Sequence, residues 1–269
     1  MGDYLRRFWH PFMESKELPE PDGDVKDVRL LGERLIAFRD SDGLIGLTQW
    51  NCPHRSAPLF YARNEENGLR CVYHGWKFTT EGRCVDMPSE PAESNFKDKV
   101  RILAYPVREK GGVLWAFMGP AHLMPDLPEL EWTMVPPSRR MMAHFRLHCN
   151  WVQTLEGDVD SSHVGFLHRT KMRTAAGYDT EYVEFDNAPR WNIEQTDYGM
   201  ALAARRETPQ GDSHYWRINQ WFLPYYTLVA SDLARSRIHS HIWVPSDDTH
   251  TDIWCVEWST DQQDLSEEE

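Results

Sequence analysis

The chain has 269 residues, enough for one large domain or two ordinary ones with a substantial hydrophobic core. It carries 29 Lys and Arg against 42 Asp and Glu, and its formal net charge of -13 repels the phosphate backbone of nucleic acids. No stretch reaches the ~20 apolar residues that cross a bilayer, and the N-terminal segment lacks the apolar run of a signal peptide. We therefore expect a cytoplasmic protein that binds neither nucleic acid nor a membrane.

The cysteine content indicates metal binding rather than disulfide bonding. Five cysteines are an odd number in a chain of this size, which argues against a disulfide framework. In a reducing compartment, the useful question is which of these thiols bind a metal.

The first 120 residues are predicted to form an all-β domain. Gly and Asp residues supply the backbone angles that hairpin turns require, and they separate short strands. The predicted strands are 25–31, 34–38, 44–48, 77–79, 100–106 and 112–117. The proline-rich segment 121–137 cannot hold a regular element for long, so we interpret it as a linker at a domain boundary.

Residues 138–269 are predicted to form an α+β domain built on an antiparallel sheet. One helix is predicted from Trp151 to about Val164, with Asn150 as its N-cap. The predicted strands are 190–195, 200–206, 215–221, 226–230, 237–244 and 252–258.

Two Cys-His pairs in the first half indicate a metal site. Cys52 and His54 are separated by one residue, and Cys71 and His74 by two, so each pair puts one thiolate and one imidazole on a tight loop. Structural zinc sites usually take two like ligands from each loop. Mixed pairs suit a [2Fe-2S] cluster with two thiolates on one iron and two imidazoles on the other, and neutral imidazoles make such a cluster easier to reduce.

Two other interpretations of these four residues stay open at this point. They are buried cysteines with core histidines, or a zinc-binding knuckle. We favour metal over no metal because each pair lies beside a residue, Pro53 or Gly75, that shapes a tight loop. We favour iron-sulfur over zinc because the pairs are mixed.

A polar stripe marks the predicted helix. Gln153, Glu156, Asp160 and His163 recur at steps of three and four, and His168 follows five residues later. Two histidines and one carboxylate form the facial triad of non-heme Fe(II) oxygenases, with three positions left for dioxygen and substrate. For both histidines to reach one iron, the helix must end or unwind. The alternative is a solvated helix face followed by a loop histidine.

Both motifs together resemble the Rieske non-heme iron oxygenases. The run E-G-x-x-D-S-S-H-x-x-F-L-H, residues 156–168, is most similar to the oxygenase component of phthalate 4,5-dioxygenases. The resemblance extends from residue 51 to the last predicted strands. It implies an N-terminal Rieske domain followed by a helix-grip catalytic domain, of which this sequence holds only part.

The resemblance also implies a role for each matching residue. Thiolate ligands of the cluster would be Cys52 and Cys71, and its imidazole ligands His54 and His74. Histidine ligands of the mononuclear Fe(II) would be His163 and His168. Asp160 takes the place of the family's bridging aspartate, which links a cluster histidine of one subunit to an iron-ligand histidine of its neighbour. The expected assembly is a trimer or a stack of trimers.

The implied activity is hydroxylation of an aromatic, carboxylated substrate with O2, either by dioxygenation or by monooxygenation and demethylation. No G-x-G-x-x-G motif follows a predicted strand, so we expect NADH to be oxidised by a separate flavin and iron-sulfur reductase. Arg190, at the start of a predicted strand, is the candidate partner for the substrate carboxylate.

The third iron ligand is where the sequence departs from the family pattern. Relatives place an aspartate on a later helix, whereas Asp247, Asp248 and Asp252 lie in or beside a predicted strand turn. We therefore expect the ligand to lie beyond Glu269, in a longer oxygenase subunit. The alternative function is an electron-transfer module that keeps the cluster and lacks a functional iron.

Overall fold

A computed structural model describes residues 2–169, 180–230, 237–261 and 264–265. The chain divides into two compact units, Met1–Thr133 and Met134–Glu269, and the division falls inside the segment predicted as a linker. The helices are α1 Gly2–Leu5, α2 Glu131–Met134, α3 Trp151–Val159, α4 Val164–Leu167 and α5 Thr180–Phe185. Short 3-10 helices cover Ser15–Glu17, Leu59–Tyr61, Phe96–Lys99, Ala121–Leu123 and Pro137–Arg139.

The first unit is built from small antiparallel sheets, as predicted. Its strands are β1 Trp9–Glu14, β2 Lys26–Leu30, β3 Glu33–Arg39, β4 Ile45–Gln49, β5 Arg63–Asn64, β6 Leu69–Arg70, β7 Lys77–Phe78, β8 Cys84–Asp86, β9 Val107–Lys110 and β10 Val113–Phe117. They form three sheets with the orders β1-β10-β9, β2-β3-β4 and β5-β6-β7-β8. Cys52 and Cys71 belong to the same buried cluster as Ile36, Phe38 and Phe78, so the two Cys-His loops pack directly on the core.

One predicted strand of this unit is wrong. Residues 100–106 form no strand, and only isolated bridges at Arg101 and Ala104 tie them to their neighbours. The first part of the segment exchanges backbone hydrogen bonds with Gly82 and Cys84, and the second part with Leu47 and Gln49, so no continuous ladder forms with either neighbour.

The second unit is a seven-stranded antiparallel sheet with helices against it. The strands are β11 Arg140–Leu147, β12 Arg190–Thr196, β13 Gly199–Glu207, β14 His214–Phe222, β15 Tyr226–Val229, β16 Arg237–Pro245 and β17 Thr251–Ser259, in the order β11-β17-β16-β15-β14-β13-β12. Helix α3 contacts β14, β15 and β16. The α+β class with a sheet-rich second domain is confirmed.

The predicted helix is wrong at its C-terminal end. Asn150 caps the N-terminus as expected, because its side chain accepts a hydrogen bond from the amide of Val152 (3.0 Å). However, the helix ends at Val159, and Asp160 is extended with ψ 127°. The polar stripe therefore does not lie on one continuous helix. In the described ranges, no helix is both long and apolar enough to span a membrane.

Candidate metal centres

Two loops of the first unit share one hydrogen-bond pattern. The amide of Cys52 donates to the carbonyl of Ala57 (2.9 Å), and the amide of Ser56 donates back to the carbonyl of Cys52 (3.0 Å). The loop that begins at Cys71 has the same two hydrogen bonds at the same sequence separations, 2.9 and 3.0 Å. Both loops turn through a positive φ at the fifth residue, +56° at Ser56 and +76° at Gly75.

The loops bring the two imidazoles together. The ring centroids of His54 and His74 are 4.4 Å apart. Trp76 stacks on His54 at 4.5 Å, and Tyr73 covers His74 at 4.1 Å. In the described part of the chain, Nδ1 of each histidine is buried and has no hydrogen-bond partner. Buried polar atoms are normally satisfied, so these two nitrogens are poised to bind a ligand.

The thiols complete the donor set. Cys52 and Cys71 are 2% and 3% exposed, and with the two histidines they line one common pocket. Burial raises the pKa of Cys52 to about 11, and the neighbouring Cys71 adds to the rise, so this thiol stays protonated unless a metal displaces the proton. Two buried sulfurs and two open imidazole nitrogens fit a [2Fe-2S] cluster, in which each iron takes two protein ligands.

A second pair of histidines lies in the second unit. His163 precedes α4 and His168 follows it, and their ring centroids are 5.0 Å apart. Oδ2 of Asp160 lies 3.0 Å from Nδ1 of His163. Burial pushes the pKa of Asp160 upward, but hydrogen bonds from the amides of Ser162 and His163 outweigh it and bring the pKa below its ordinary value.

The end of α3 is anchored to the sheet by a partly buried ion pair. Nδ1 of His241 lies 3.0 Å from both carboxylate oxygens of Asp158, and the hydroxyl of Thr227 donates to the same carboxylate. Burial alone would lower the pKa of His241, but the hydrogen bond to Asp158 prevails and raises it to about 10. Asn219 donates to the carbonyls of Asp158 (3.3 Å) and Val159 (3.2 Å). These contacts fix the end of α3. The segment from Asp160 to His168, called the histidine segment below, begins there.

Arg206 binds Ser161 in the histidine segment. It is 1% exposed, and its guanidinium donates to the carbonyl (2.7 Å) and the hydroxyl (3.2 Å) of Ser161 and to the carbonyl of Asp186 (3.1 Å). The irregular backbone between α3 and α4 is therefore tied to the sheet by side chains rather than by helical hydrogen bonds.

No third ligand joins the two histidines within the described ranges. There, no group of three His, Cys, Asp or Glu side chains is arranged to hold one metal ion. Asp252 is paired with Arg146 (2.8 Å), and Asp247 accepts a hydrogen bond from the amide of Thr249 (2.8 Å) and lies 3.0 Å from Nδ1 of His250. The carboxylates of Asp247 and Asp252 are thus engaged elsewhere.

Arg190 projects from the other face of the sheet. It pairs with Arg205 across β12 and β13, and its side chain is exposed. Successive side chains of a strand point to opposite faces, and Arg206 reaches Ser161 on the α3 side. The structure therefore does not bring Arg190 to the two histidines.

Two family profiles match this arrangement. Residues 8–105 match the Rieske [2Fe-2S] domain, and residues 116–269, more than half of the chain, match the family described as LigXa C-terminal domain like. The chain belongs to the Rieske oxygenases. Its cysteine and histidine loops lie in the part matched by the first profile, and its second histidine pair in the part matched by the second.

Relatives of this Rieske oxygenase chain are oxygenase subunits. It is 39% identical over 262 residues to the 3-chlorobenzoate-3,4-dioxygenase oxygenase subunit of Comamonas testosteroni, covering 96% of this chain and 60% of that protein. It is 40% identical over 267 residues to the phthalate 4,5-dioxygenase oxygenase subunit of Pseudomonas putida, with the same coverages. The chain therefore spans about 60% of the length of these two relatives.

Solved structures share the fold. Dicamba monooxygenase bound to 3,6-dichlorosalicylic acid superposes with a TM-score of 0.74 at 18% identity, over 95% of this chain and 78% of that one. The NdmA QL mutant of Pseudomonas putida CBB5 with theobromine gives a TM-score of 0.74 at 21% identity, over 98% and 76%.

Several residues of this Rieske oxygenase site lay outside the sequence-based prediction. Asp158 and His241 are 83 positions apart, and nothing in either neighbourhood signals that they pair. Arg206 follows Arg205 in the same strand. The sequence does not tell which of the two arginines points toward α3. Trp76 carried a weak signal, since it follows Gly75 directly in the second cluster loop.

Proposed function

We propose that this chain is the electron-accepting and oxygen-activating part of an oxygenase component. Residues 1–120 would hold a Rieske cluster through Cys52, His54, Cys71 and His74, and residues 138–269 would hold a mononuclear iron, with segment 121–137 between them. When bound, the two groups supply one-electron transfer and activation of O2. The product would be a hydroxylated aromatic compound.

The observation that carries this proposal is the pair of matching loops with two open imidazole nitrogens. The two loops have the same backbone hydrogen bonds and line one pocket, so the chain brings two cysteine sulfurs and two imidazoles together. A structural zinc site would take four ligands around a single ion, and within the described residues no such set is arranged for one ion.

In the second unit, Asp160 and His163 act as a pair. The carboxylate of Asp160 lies 3.0 Å from Nδ1 of His163, so it favours the tautomer that carries the proton on Nδ1. Nε2 of His163 then keeps its lone pair for a metal. We propose that the same carboxylate accepts a contact from the cluster histidine His74 of a neighbouring subunit, which requires a trimer or stacked trimers.

The substrate class follows from the relatives. The printed substrates of the two oxygenase subunits described above, 3-chlorobenzoate and phthalate, are aromatic carboxylates, and a third relative, at 35% identity, is the 5,5'-dehydrodivanillate O-demethylase oxygenase subunit of Sphingobium. We therefore propose an aromatic, carboxylated substrate, with either dioxygenation or monooxygenation and demethylation as the outcome.

The same relatives support a separate electron donor. Their names describe oxygenase subunits of systems with more than one component, so we propose that a flavin and iron-sulfur reductase oxidises NADH and passes electrons to this chain.

All five cysteines are free thiols, which supports a place in the reducing cytoplasm. We propose that the third ligand of the iron is an aspartate beyond Glu269.

Metal analysis tests the proposal. A purified, red-brown subunit that carries the proposed aspartate beyond Glu269 should contain about three irons per chain, two of them with acid-labile sulfide, and on reduction it should give an electron paramagnetic resonance signal whose average g lies below the free-electron value. Four single variants, each replacing one of Cys52, His54, Cys71 and His74 by Ala, should abolish that signal. A colourless, zinc-loaded protein would overturn the proposal.

One observation favours a second candidate, an electron-transfer module without a catalytic iron. Within the described residues His163 and His168 lie together, no third His, Cys, Asp or Glu completes a metal site with them, and two ligands hold an iron weakly. The same analysis separates the candidates, because the module would contain about two irons per chain and would reduce an acceptor without forming product.

A further inference from the structure

Arg217 occupies a special place on the sheet. It lies on β14 between Tyr215 and Asn219, and the three side chains share one face of the strand. Asn219 donates to the carbonyl that ends α3 at Val159 (3.2 Å), and Tyr215 packs against the cluster of Val164, where α4 begins, and Val183. Arg217 therefore faces the stretch between those two points.

That stretch contains Asp160 and His163, so the guanidinium lies on the side of the sheet where the two histidines meet. Arg206, on the neighbouring strand, reaches the same stretch through Ser161. Its distance from Arg217 is short enough for the two charges to interact: burial first, and then repulsion by Arg217, lowers the pKa of Arg206.

The Nε of Arg217 is a buried donor without an acceptor among the described residues. Only 7% of the whole residue is exposed. Among the described residues, no ion pair neutralises it. A guanidinium removed from water is unfavourable unless an anion or several hydrogen bonds compensate it. The buried Arg206, by contrast, has three acceptors.

Four carboxylates of the second unit are engaged with groups other than Arg217. The engaged pairs are Asp158 with His241, Asp160 with His163, Glu257 with Arg237 and His239, and Asp186 with the amides of Ala188 and Glu207. The positive charge of Arg217 also contributes to the lowered pKa of His239, whose main cause is burial. Among the described residues, none of these carboxylates forms an ion pair with Arg217.

We propose that Arg217 binds the carboxylate of an aromatic acid and so holds the ring beside His163 and His168. A planar guanidinium matches a carboxylate with two parallel hydrogen bonds, and a buried site strengthens them. Arg217 would thereby select anionic over neutral ring compounds. This inference rests on the proposed function, whose substrate class it assigns to one residue.

Calorimetric titration of the cluster-loaded protein tests the inference without turnover. The probes are benzoate and phthalate, with benzamide as the neutral match for benzoate. We expect the wild type to bind benzoate at least tenfold more tightly than benzamide, and Arg217→Gln to lose that preference. Arg217→Lys should keep part of this preference, since an ammonium provides the charge but not the two parallel hydrogen bonds of a guanidinium. Arg205→Gln, on the opposite face of the sheet, is the matched control and should bind like the wild type.

Three outcomes would overturn the inference. They are equal binding of benzoate and benzamide by the wild type, no binding of any probe, and unchanged benzoate binding by Arg217→Gln. The comparison of benzoate with benzamide needs no variant, so a folding defect cannot hide the answer.

Thermal unfolding gives an independent readout. If the charge of Arg217 is compensated only when an anion binds, Arg217→Met should unfold at the same temperature as the wild type or higher in anion-free buffer. Only the wild type should gain stability when benzoate is added. A lower unfolding temperature for Arg217→Met would show a structural role and sink the inference. Iron and sulfide are measured on the same samples: cluster-free protein contradicts the proposed function, whereas cluster-loaded protein that ignores benzoate contradicts only the role of Arg217.

Discussion

Oδ2 of Asp160 contacts His163 twice, at 3.1 Å from its backbone nitrogen and at 3.0 Å from Nδ1 of its ring. The first contact starts a new turn after α3 has ended, and the second orients the imidazole. One carboxylate thus sets both the path of the chain and the direction in which the histidine presents Nε2.

Replacing Asp160 by Asn tests that double role. The amides of Ser162 and His163 donate to different oxygens of Asp160, so the single amide oxygen of Asn keeps one of these hydrogen bonds and loses the other, together with the negative charge beside the imidazole. We expect the [2Fe-2S] signal and its reducibility to stay unchanged while product formed per electron falls by roughly 10- to 100-fold. Rapid-mixing reduction and product analysis on one sample measure both quantities. Turnover equal to the wild type would remove the proposed role of Asp160.

The sequence was informative where one short segment carries a whole function. The loops around Cys52 and Cys71 depend on residues within six positions of each cysteine, so their spacing predicts two knuckles. The segment from Asp160 to His168 is local in the same sense. The helix end was missed because a step of three and four resembles helical periodicity, whereas Asp160 followed by two serines is also a strong signal for starting a new turn.

Other parts could not be predicted, because their causes lie far apart in the chain. The carboxylate of Asp158 meets His241 only after the sheet has formed. The facing direction of Arg190 depends on the register between β12 and β13, and a shift of one residue would reverse it. β1 and β11 were missed as well, because β1 is nearly all buried and β11 begins directly after a proline-rich segment.

Gly75 provides a second prediction, about the cluster loop. Its φ is +76°, and a Cβ there would lie 2.5 Å from Cγ of Pro88. We expect Gly75→Ala to cost about 2–5 kcal/mol, as the sum of backbone strain and overpacking, and to lower cluster occupancy. Visible absorbance per iron and urea unfolding measure the two effects.

Gly43→Ala is the matched control for that variant. Gly43 has a φ of +83°, but a Cβ there would meet nothing within 4 Å. Only the backbone cost of about 1–2 kcal/mol should appear, with full cluster occupancy. If both variants kept the cluster equally, the close approach of Gly75 to Pro88 would have no bearing on the site.

The ion pair between Asp158 and His241 predicts a pH dependence of stability. The folded pKa of His241 is about 10, above the unfolded value of about 6.5, so the folded state binds the extra proton between these limits. The stabilisation, on the order of a few kcal/mol, should be fully present below pH 6.5 and be lost as the pH rises toward 10. Urea midpoints measured from pH 6 to pH 10 test this slope.

Two variants isolate the contribution of His241 from that of Cys255 and His239, which also face it. His241→Gln should remove the extra slope. Asp158→Asn leaves burial as the main influence, so the pKa of His241 should fall below its ordinary value and stability should instead rise as the pH increases through 6.5. An unchanged slope in Asp158→Asn would show that the pair is not the cause.

Arg206 and Arg217 are both buried arginines of adjacent strands, and their truncation to Met should have opposite effects. Arg206→Met leaves the carbonyls of Ser161 and Asp186 without their donor, so it should cost about 2–4 kcal/mol of unfolding free energy. It should also loosen the segment that carries His163 and weaken iron binding by roughly 10- to 100-fold.

Arg206→Lys should recover only part of the stability, because one ammonium cannot replace three hydrogen bonds of fixed geometry. Urea unfolding and Fe(II) titration of the two Met variants, side by side, measure the difference. An Arg206→Met variant as stable as Arg217→Met would mean that the hydrogen bonds to Ser161 and Asp186 do not hold the histidine segment in place.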